Sequence, residues 1–172
     1  MSTEEPAGLR IERVPMTHPD AHLLTEEVQE EYVVRYGTRD QTPYDASEFD
    51  PPAGAFYVGY RDGVPVSMGG WRFRPDVTRL GSDRPVEVKR MYVVPAARRT
   101  GLARLMLAHL EATARAAGAD VVILETGLAQ PEGISLYEAA GYQRIEGFGH
   151  YRHHVDNRCY ARRLDPVPDS PP

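Results

Sequence analysis

Two arginines and a glycine stand at the junction between an apolar strand and an amphipathic helix. The strand is predicted from Glu87 to Val94, and apolar residues at helical spacing follow Gly101. Free backbone N–H groups at the start of a helix, with the positive end of the helix dipole behind them, bind anions. A glycine there lets a phosphate approach the main chain without meeting a side chain. The segment from Arg98 to Ala103 is therefore predicted to be a phosphate-binding loop.

Two blocks of sequence resemble a known family. The segment from Arg98 to Ala103 resembles Arg-x-x-Gly-x-Gly, the acyl-CoA-binding signature of the GNAT superfamily of N-acetyltransferases, with alanine as the usual alternative in the last position. The segment from Leu136 to Tyr142 is similar to that family's Leu-Tyr-Glu-x-x-Gly-(Phe/Tyr) block. The resemblance implies an acetyl-CoA-dependent N-acetyltransferase, which moves an acetyl group to a primary amine by direct transfer in a ternary complex.

The resemblance also implies which residues bind acetyl-CoA. In this family the strand before the phosphate loop splays from its neighbour, and its main chain holds the pantetheine arm and the thioester. Gln130 stands where many members have an asparagine that contacts the pantetheine arm. A polar cap on the helix that begins at Pro131 is the alternative role for Gln130. The expected acyl-CoA-binding residues are Met91, Tyr92, Val93, Arg98, Arg99, Thr100, Gly101, Leu102, Ala103 and Gln130.

Two side chains are candidates for the proton transfers. Glu87 stands four residues before Met91, where one branch of the family has a catalytic glutamate. Strand alternation predicts that one face carries Glu87, Lys89, Met91 and Val93. A structural ion pair with Lys89 or Arg90 is the alternative role for Glu87. Tyr137 matches the family tyrosine that serves the leaving thiolate, and the alternative is a packed tyrosine with its hydroxyl bonded to the backbone.

Two polar segments are candidates for the acceptor site. His150, His153 and His154 follow a Gly-Phe-Gly sequence, without a complementary cysteine or carboxylate motif, so no metal site is predicted. A histidine of this segment is an alternative general base. The loop from Tyr36 to Asp50 carries acidic and aromatic residues that suit a cationic amine, and a solvated polar loop is the alternative.

The composition narrows the class of protein. The net charge of −5 argues against a dedicated nucleic-acid binder. A single cysteine, Cys159, fits a reducing compartment and lacks a recognisable nucleophile motif. The chain has no run of about 18 consecutive apolar residues, as a membrane span needs, and no secretion signal. We expect a cytoplasmic enzyme with a small-molecule acceptor and no membrane partner, and a homodimer is left open.

Two alternatives to this function remain open. One is an acetyltransferase that acts on protein or peptide amines. The other is an acyl-CoA-binding sensor with the same fold and no turnover. A nucleotide-binding regulator ranks lower, because the chain lacks the Gly-x-x-x-x-Gly-Lys-(Ser/Thr) phosphate loop.

The order of predicted elements is strand, helix, hairpin, strand, helix, strand, helix and strand. The hairpin turns at Asp62-Gly63, and the strand after the second helix is predicted over 121–124. One domain is predicted over 9–164, with a loose segment at 1–8 and a loose proline-rich tail at 165–172. The resemblance implies an α+β fold: a mixed, mostly antiparallel sheet flanked by helices on both faces, with splayed strands at the acyl-CoA site.

Overall fold

The backbone forms a mixed sheet with helices packed on both of its faces. The computed structural model describes residues 8–165. Apart from Gly8 and Asp165, the predictions of a loose segment at 1–8 and a loose tail at 165–172 lie outside these residues. The strands are β1 (Leu9–Arg13), β2 (Gly54–Arg61), β3 (Val64–Phe73), β4 (Val86–Val93), β5 (Val121–Gly127), β6 (Gln143–Ile145) and β7 (Asn157–Arg163). The helices are α1 (Pro19–Tyr36), α2 (Leu102–Ala116) and α3 (Pro131–Ala139), with short 3₁₀ turns at Ala46–Phe49 and Pro95–Ala97.

The seven strands lie in the order β1-β2-β3-β4-β5-β7-β6. Among the described strands β4 and β5 form the parallel pair, and the other neighbours are antiparallel. This arrangement confirms the predicted mixed, mostly antiparallel sheet. The short strand β6 was not predicted, because three residues are too few for a pattern of alternation to show. No helix within residues 8–165 has the length and apolar content that crossing a membrane requires.

The two faces of the sheet are covered by different helices. Leu24 and Val28 of α1 pack on one face, in a cluster with Phe56 and Met68. Apolar residues of α2, together with Tyr137 of α3, pack on the other face. In α2 the buried positions Leu102, Met106, Leu110 and Ala114 recur every four residues, which is the spacing of one helix face.

The turn between β2 and β3 is a two-residue hairpin, as predicted. Asp62 and Gly63 have φ values of 52° and 79°. Positive φ at both central residues matches the right-handed twist of the flanking strands. The hairpin pairs β3 with β2, and the other edge of β3 pairs with β4.

A β-bulge interrupts β4 at Arg90. Gly70 pairs with Lys89 and Met68 pairs with Tyr92, so that Arg90 and Met91 both stand opposite Gly69. Arg90 has a φ of 60°, an uncommon conformation for a residue with a side chain. The extra residue reverses the alternation of the strand.

The prediction of a shared face for Glu87, Lys89 and Met91 is therefore wrong. Met91 packs in the same cluster as Val86 and Val88, on the side of α2. The sequence pattern carries no sign of the bulge, because a bulge adds one residue without changing the apolar character of the strand.

The strands β4 and β5 diverge soon after they begin to pair. Their register consists of Val86 with Val122 and Glu87 with Ile123, and β4 stays paired with β3 as far as Val93. The edge of β4 that faces β5 is therefore left without a strand partner beyond Glu87. This confirms the splayed strands implied by the resemblance.

Candidate active site

A cavity of about 430 Å³ lies where β4 and β5 diverge. Its wall combines the end of α1, the loop that follows α1, both diverging strands and the beginning of α3. The predicted site residues in its wall are Glu87, Met91, Gln130 and Tyr137. The wall also includes residues that were not predicted as site residues, among them Lys89, Arg90, Glu125, Tyr151 and Asp156. Tyr92, Val93 and the segment from Arg98 to Ala103 lie outside this cavity.

The phosphate-loop segment has the backbone geometry of an anion site. Gly101 precedes α2 with a φ of 84°, and a Cβ added to it would meet no atom within 4 Å. The backbone N–H groups from Arg99 to Arg104 donate to no acceptor within the described residues. Such donors at a helix start, with open space before them, suit a phosphate.

The two arginines of this loop have different surroundings. Arg98 donates from Nε to the carbonyl oxygen of Val93 at 3.0 Å and from Nη2 to Glu31 at 2.6 Å. Arg98 therefore ties the loop to β4 and α1. The Arg99 side chain is exposed and makes no hydrogen bond or ion pair within residues 8–165, so it is free to meet a phosphate. Leu102 is buried in a small apolar cluster with Val93 and anchors the start of α2.

Tyr137 brings an unpartnered hydroxyl to the cavity. The residue is 8% exposed, and its ring packs edge-on against Tyr142. Its hydroxyl makes no hydrogen bond within the described part of the chain, so the alternative of a hydroxyl bonded to the backbone is not what the structure shows. Burial raises the pKa of Tyr137 well above its usual value, which keeps the hydroxyl protonated. Tyr137 thus brings a neutral, protonated hydroxyl to the cavity, as a proton donor would.

Gln130 connects α1 with α3 at the edge of the cavity. It holds the N-cap position of α3, but its side chain makes no capping hydrogen bond. Its Oε1 accepts instead from the hydroxyl of Tyr36 at 3.0 Å. The cap predicted as its alternative role is therefore absent, and the amide remains in the cavity wall.

Glu87 is held by two guanidinium groups. Its side chain is 1% exposed, and Oε1 accepts from Arg72 at 2.9 and 3.0 Å and from Arg74 at 2.8 Å. The partners differ from the Lys89 or Arg90 of the structural alternative, but the arrangement is the ion-paired one. Charge-assisted hydrogen bonds from two arginines fix the Glu87 carboxylate in place between β3 and β4.

Glu125 is a cavity carboxylate that makes no ion pair within residues 8–165. It lies near the end of β5, and Oε1 accepts from Asn157 Nδ2 at 3.4 Å, with no ion pair within the described residues. A side chain at Gly149 would collide with its carboxylate, so the loop before β7 closes over it. Burial raises the pKa of Glu125 and the charge of Glu87 adds to the effect, whereas Lys89 and Asn157 oppose it. A carboxylate with a raised pKa in a cavity is a candidate general base.

Sequence reasoning missed Glu125 because the predicted strand ended at Leu124. The observed strand runs on to Gly127. Alternation within β5 then puts Glu125 on the face of Ile123, next to the partner strand β4. The signal was available: ligands bind beyond the carboxyl ends of parallel strands, and Glu125 is the acidic residue at that end of β5.

The loop from Tyr36 to Asp50 is engaged with the protein rather than simply solvated. Asp40 accepts from Thr42 and from the Tyr151 hydroxyl, and it lies 3.5 Å from Arg90. Burial would raise the pKa of Asp40, but Lys89, Thr42 and Arg90 together lower it. Asp45 caps the short helix that follows, and Glu48 pairs with Arg72.

The histidines are spread along the loop before β7. His154 lines the cavity, and its Nδ1 accepts from the backbone N–H of Asp156 at 3.2 Å. His150 packs on Tyr151, and His153 is exposed. Within residues 8–165 no three histidine, cysteine or acidic residues are grouped to hold a metal ion. Burial raises the pKa of Cys159 to about 11, which makes its thiol a poor nucleophile.

Comparison with known proteins gives a family match and several relatives. The sequence pattern of the acetyltransferase (GNAT) family matches residues 21–142. An IAA acetyltransferase of Azospirillum brasilense is 45% identical over 65 residues, which cover 38% of this chain and 42% of that protein. The uncharacterised N-acetyltransferase YjgM of Escherichia coli is 32% identical over 117 residues, which cover 67% of this chain and 66% of that protein. The matches thus span less than two thirds of each curated relative.

Solved structures share the fold at low sequence identity. A Klebsiella pneumoniae protein assigned as an acyl-CoA N-acyltransferase has a TM-score of 0.74 at 23% identity, with 93% of this chain and all of that chain covered. The yncA protein of Salmonella typhimurium, assigned as an acetyltransferase and solved with acetyl-CoA, has a TM-score of 0.64 at 19% identity. That alignment covers 92% of this chain and 95% of the yncA chain. At these identities the likeness concerns the fold alone.

Proposed function

We propose that this chain, which belongs to the GNAT family of acetyltransferases, moves an acetyl group from acetyl-CoA to the primary amine of a small molecule. The observation that carries the proposal is the cavity between β4 and β5. Glu125, a carboxylate with a raised pKa, and Tyr137, a buried tyrosine with an unpartnered hydroxyl, both lie in its wall. An attacking amine needs a proton acceptor, for which Glu125 is suited, and a leaving thiolate needs a proton donor, for which Tyr137 is suited.

The binding of acetyl-CoA is supported by two features on the side of α2. The free N–H groups and open space at Gly101 suit the pyrophosphate. The edge of β4 that faces β5 is unpaired beyond Glu87, and this leaves the backbone of Met91 free to bind a pantetheine arm. The relative from Salmonella typhimurium was solved with acetyl-CoA, which fits the same fold.

The chemistry requires two proton transfers around one acyl transfer. The amine nitrogen attacks the thioester carbonyl, a C–N bond forms, and the C–S bond breaks. We propose that Glu125 accepts the proton that the amine gives up, because its raised pKa brings it closer to neutral pH. Tyr137 donates its proton to the departing thiolate, or hydrogen-bonds to it. No covalent enzyme intermediate is needed.

Glu87 remains the second candidate for the base. It lines the same cavity as Glu125, and sequence resemblance favours its position. Its two arginine partners argue for a supporting role. In that role Glu87 fixes β4 to β3 at the point where β4 diverges from β5. The small-molecule acceptor and the cytoplasmic location stay predictions, and the oligomeric state stays open.

A screen for thiol release from acetyl-CoA tests this function. The wild-type chain is incubated with acetyl-CoA and small amines of different classes, and the acetylated product is identified by mass spectrometry. Thiol release that depends on one class of amine supports the proposal. Binding of acetyl-CoA without release in the presence of any small amine or peptide would instead favour a sensor, and release with peptides alone would favour a protein acetyltransferase.

Variants at Gly101 test the phosphate site separately. Gly101→Glu projects a carboxylate into the open space and should weaken CoA binding by about 100-fold or more, because two like charges repel strongly at such a site. Gly101→Ala bears the same backbone strain at a φ of 84° without the charge, and is the matched control. Calorimetry that finds equal CoA affinity in the two folded variants would contradict the assignment.

A further inference from the structure

The charged residues in the cavity wall are mostly neutralised by neighbours. Arg35 pairs with Glu31 and Glu132. Arg39 pairs with Glu26. The carboxylate of Glu87 pairs with Arg72 and Arg74. A substrate in the cavity therefore meets mainly the charged side chains that these ion pairs do not include.

Lys89 is a cation without a partner. It is the sole lysine of the chain, it is half-buried in the cavity wall, and its ammonium makes no hydrogen bond or ion pair with residues 8–165. It is close enough to Asp40 and Glu125 to affect the pKa of both. A half-buried ammonium that makes no ion pair attracts an anion that enters the cavity, because water screens charges less there than on the open surface.

Arg90 adds a second cation beside Lys89. The bulge turns its side chain into the protein, where it is 4% exposed. Nη2 donates to the Tyr44 hydroxyl at 2.9 Å and lies 3.5 Å from Asp40, whereas Nε and Nη1 are buried without a partner. Arg90 thus pairs with Asp40, and the positive charge of Lys89 is left over on this side of the cavity.

The opposite charge is left over on the side of β5. Glu125 makes no ion pair with the part of the chain that the structure describes, and Asp156 lies further along the wall beside Tyr36. The last pair between β4 and β5 is Glu87 with Ile123, so Lys89 and Glu125 each lie two residues beyond that pair on their strands. The two charges therefore face each other across the gap where the strands diverge.

We infer that the acceptor is a zwitterion, an amine that carries a carboxylate a few bonds away, with the carboxylate bound by Lys89 and the ammonium directed to Glu125. The inference rests on the proposed function and names the substrate class of that site. An α-amino acid has the required charges at a separation of a few bonds. A diamine would set a second ammonium against Lys89 and should be rejected.

The test compares amines that differ only in the carboxylate. Leucine, leucinamide and 3-methylbutylamine are assayed as one series, and a second series is built on phenylalanine. The readout is the ratio of kcat/KM for the amino acid to kcat/KM for its amide, since effects common to both substrates cancel. The chains are wild type, Lys89→Met, which removes the charge at similar volume, and Lys89→Arg, which keeps the charge. Lys89→Gln replaces Lys89→Met if the latter fails to fold.

The inference predicts a preference of the wild type for the carboxylate that falls by about 10- to 100-fold in Lys89→Met, the usual effect of a hydrogen bond to a charged group. Lys89→Arg should keep most of the preference. A wild type that acetylates the amide or the simple amine as well as the acid overturns the inference, and so does a preference that survives in Lys89→Met. Acetylation of simple amines alone would leave the proposed function standing, whereas no thiol release with any amine would overturn both.

Discussion

Glu87 and Glu125 lie on the two strands that diverge at the cavity, and their carboxylates have opposite surroundings. Glu87 accepts hydrogen bonds from Arg72 and Arg74 at 2.8 to 3.0 Å. Glu125 accepts a long hydrogen bond from Asn157 and meets no guanidinium or ammonium at ion-pair distance within the described residues. Both residues are glutamates with the same ordinary pKa in the unfolded chain. The difference in their surroundings therefore arises from the fold alone.

The difference shows how a fold assigns roles to two identical side chains. Hydrogen bonds from two guanidinium groups hold a carboxylate in place, whereas burial without an ion pair disfavours the charged form of a carboxylate. Glu87 is therefore suited to stabilise the point of divergence. Glu125 is suited to exchange a proton. Variants at each position test whether the two carboxylates differ in this way.

The largest expected effect is on the turnover of Glu125→Gln. If Glu125 is the general base, the amide should lower turnover by about 10²- to 10⁴-fold near neutral pH, because the amine loses its proton acceptor. The loss should shrink as the pH rises and more of the amine is already neutral in solution. Steady-state thiol release across a pH series measures both effects.

Glu87→Gln is the matched control for this prediction. It makes the same chemical change on the facing strand, and its turnover per folded molecule should fall much less. The opposite ranking, with Glu87→Gln the slower variant at equal folded fraction, would return Glu87 to the role that the sequence resemblance suggested. A wild-type pH–rate profile in Glu125→Gln would also refute Glu125 as the base.

The second expected effect is on the stability of Glu87→Gln. Removal of one partner from a buried ion pair leaves the other charge uncompensated and costs about 3 to 5 kcal/mol. The loss should lie near the lower end, about 3 kcal/mol, because Arg72 keeps Glu48 and Arg74 keeps Asp76 as partners. Urea unfolding at neutral pH measures it. An unchanged free energy of unfolding would show that the arginine pairs do not stabilise the fold.

The fold was largely predictable because its signals are local and periodic. The hairpin at Asp62-Gly63 and the four-residue repeat of α2 follow from propensities that act within a few residues. The bulge at Arg90 was not predictable, because its cause lies in the pairing with β3. The three-residue strand β6 is held by its pairing with β7, which is also a long-range cause.

The site was predictable only where a motif marks it. The two blocks around Gly101 and Tyr137 could be found because their spacing is specific to one family. The difference between Glu87 and Glu125 could not be found, because it depends on Arg72 and Arg74. Those arginines reach Glu87 because β3 pairs with β4. That pairing is a long-range contact, which the local sequence pattern does not reveal.

Tyr137 offers a third and smaller test, since it lines the same cavity as Glu125 and burial raises the pKa of both groups. A thiol has a pKa of about 8.5, so a thiolate leaves with less help than an amine needs to lose its proton. Tyr137→Phe should therefore slow the chemical step by roughly 10- to 100-fold and change acetyl-CoA affinity little. Single-turnover kinetics separates this step from product release. An equal single-turnover rate in wild type and Tyr137→Phe would make Tyr137 a packing residue.

The smallest expected effect is on how stability depends on pH, and it bears directly on the unpaired state of Glu125. Its pKa in the folded chain is raised above the ordinary value of 4.5, so the folded chain binds more protons than the unfolded chain just above that pH. Stability contributed by this group therefore falls as the pH rises through that window, by at most about 1.4 kcal/mol per pH unit for one proton. Glu125→Gln removes the effect, so the variant should gain stability relative to wild type between about pH 4 and neutrality and be at least as stable at pH 7.

Asp40→Asn is the contrasting control: the pKa of Asp40 is lowered, so its stabilising contribution is present at neutral pH and is lost on acidification. Urea unfolding of the three chains at several pH values gives the differences. A Glu125→Gln chain that is less stable than wild type at pH 7, by a margin that shrinks on acidification, would mean that Glu125 is paired after all, and the division between the two carboxylates would fail.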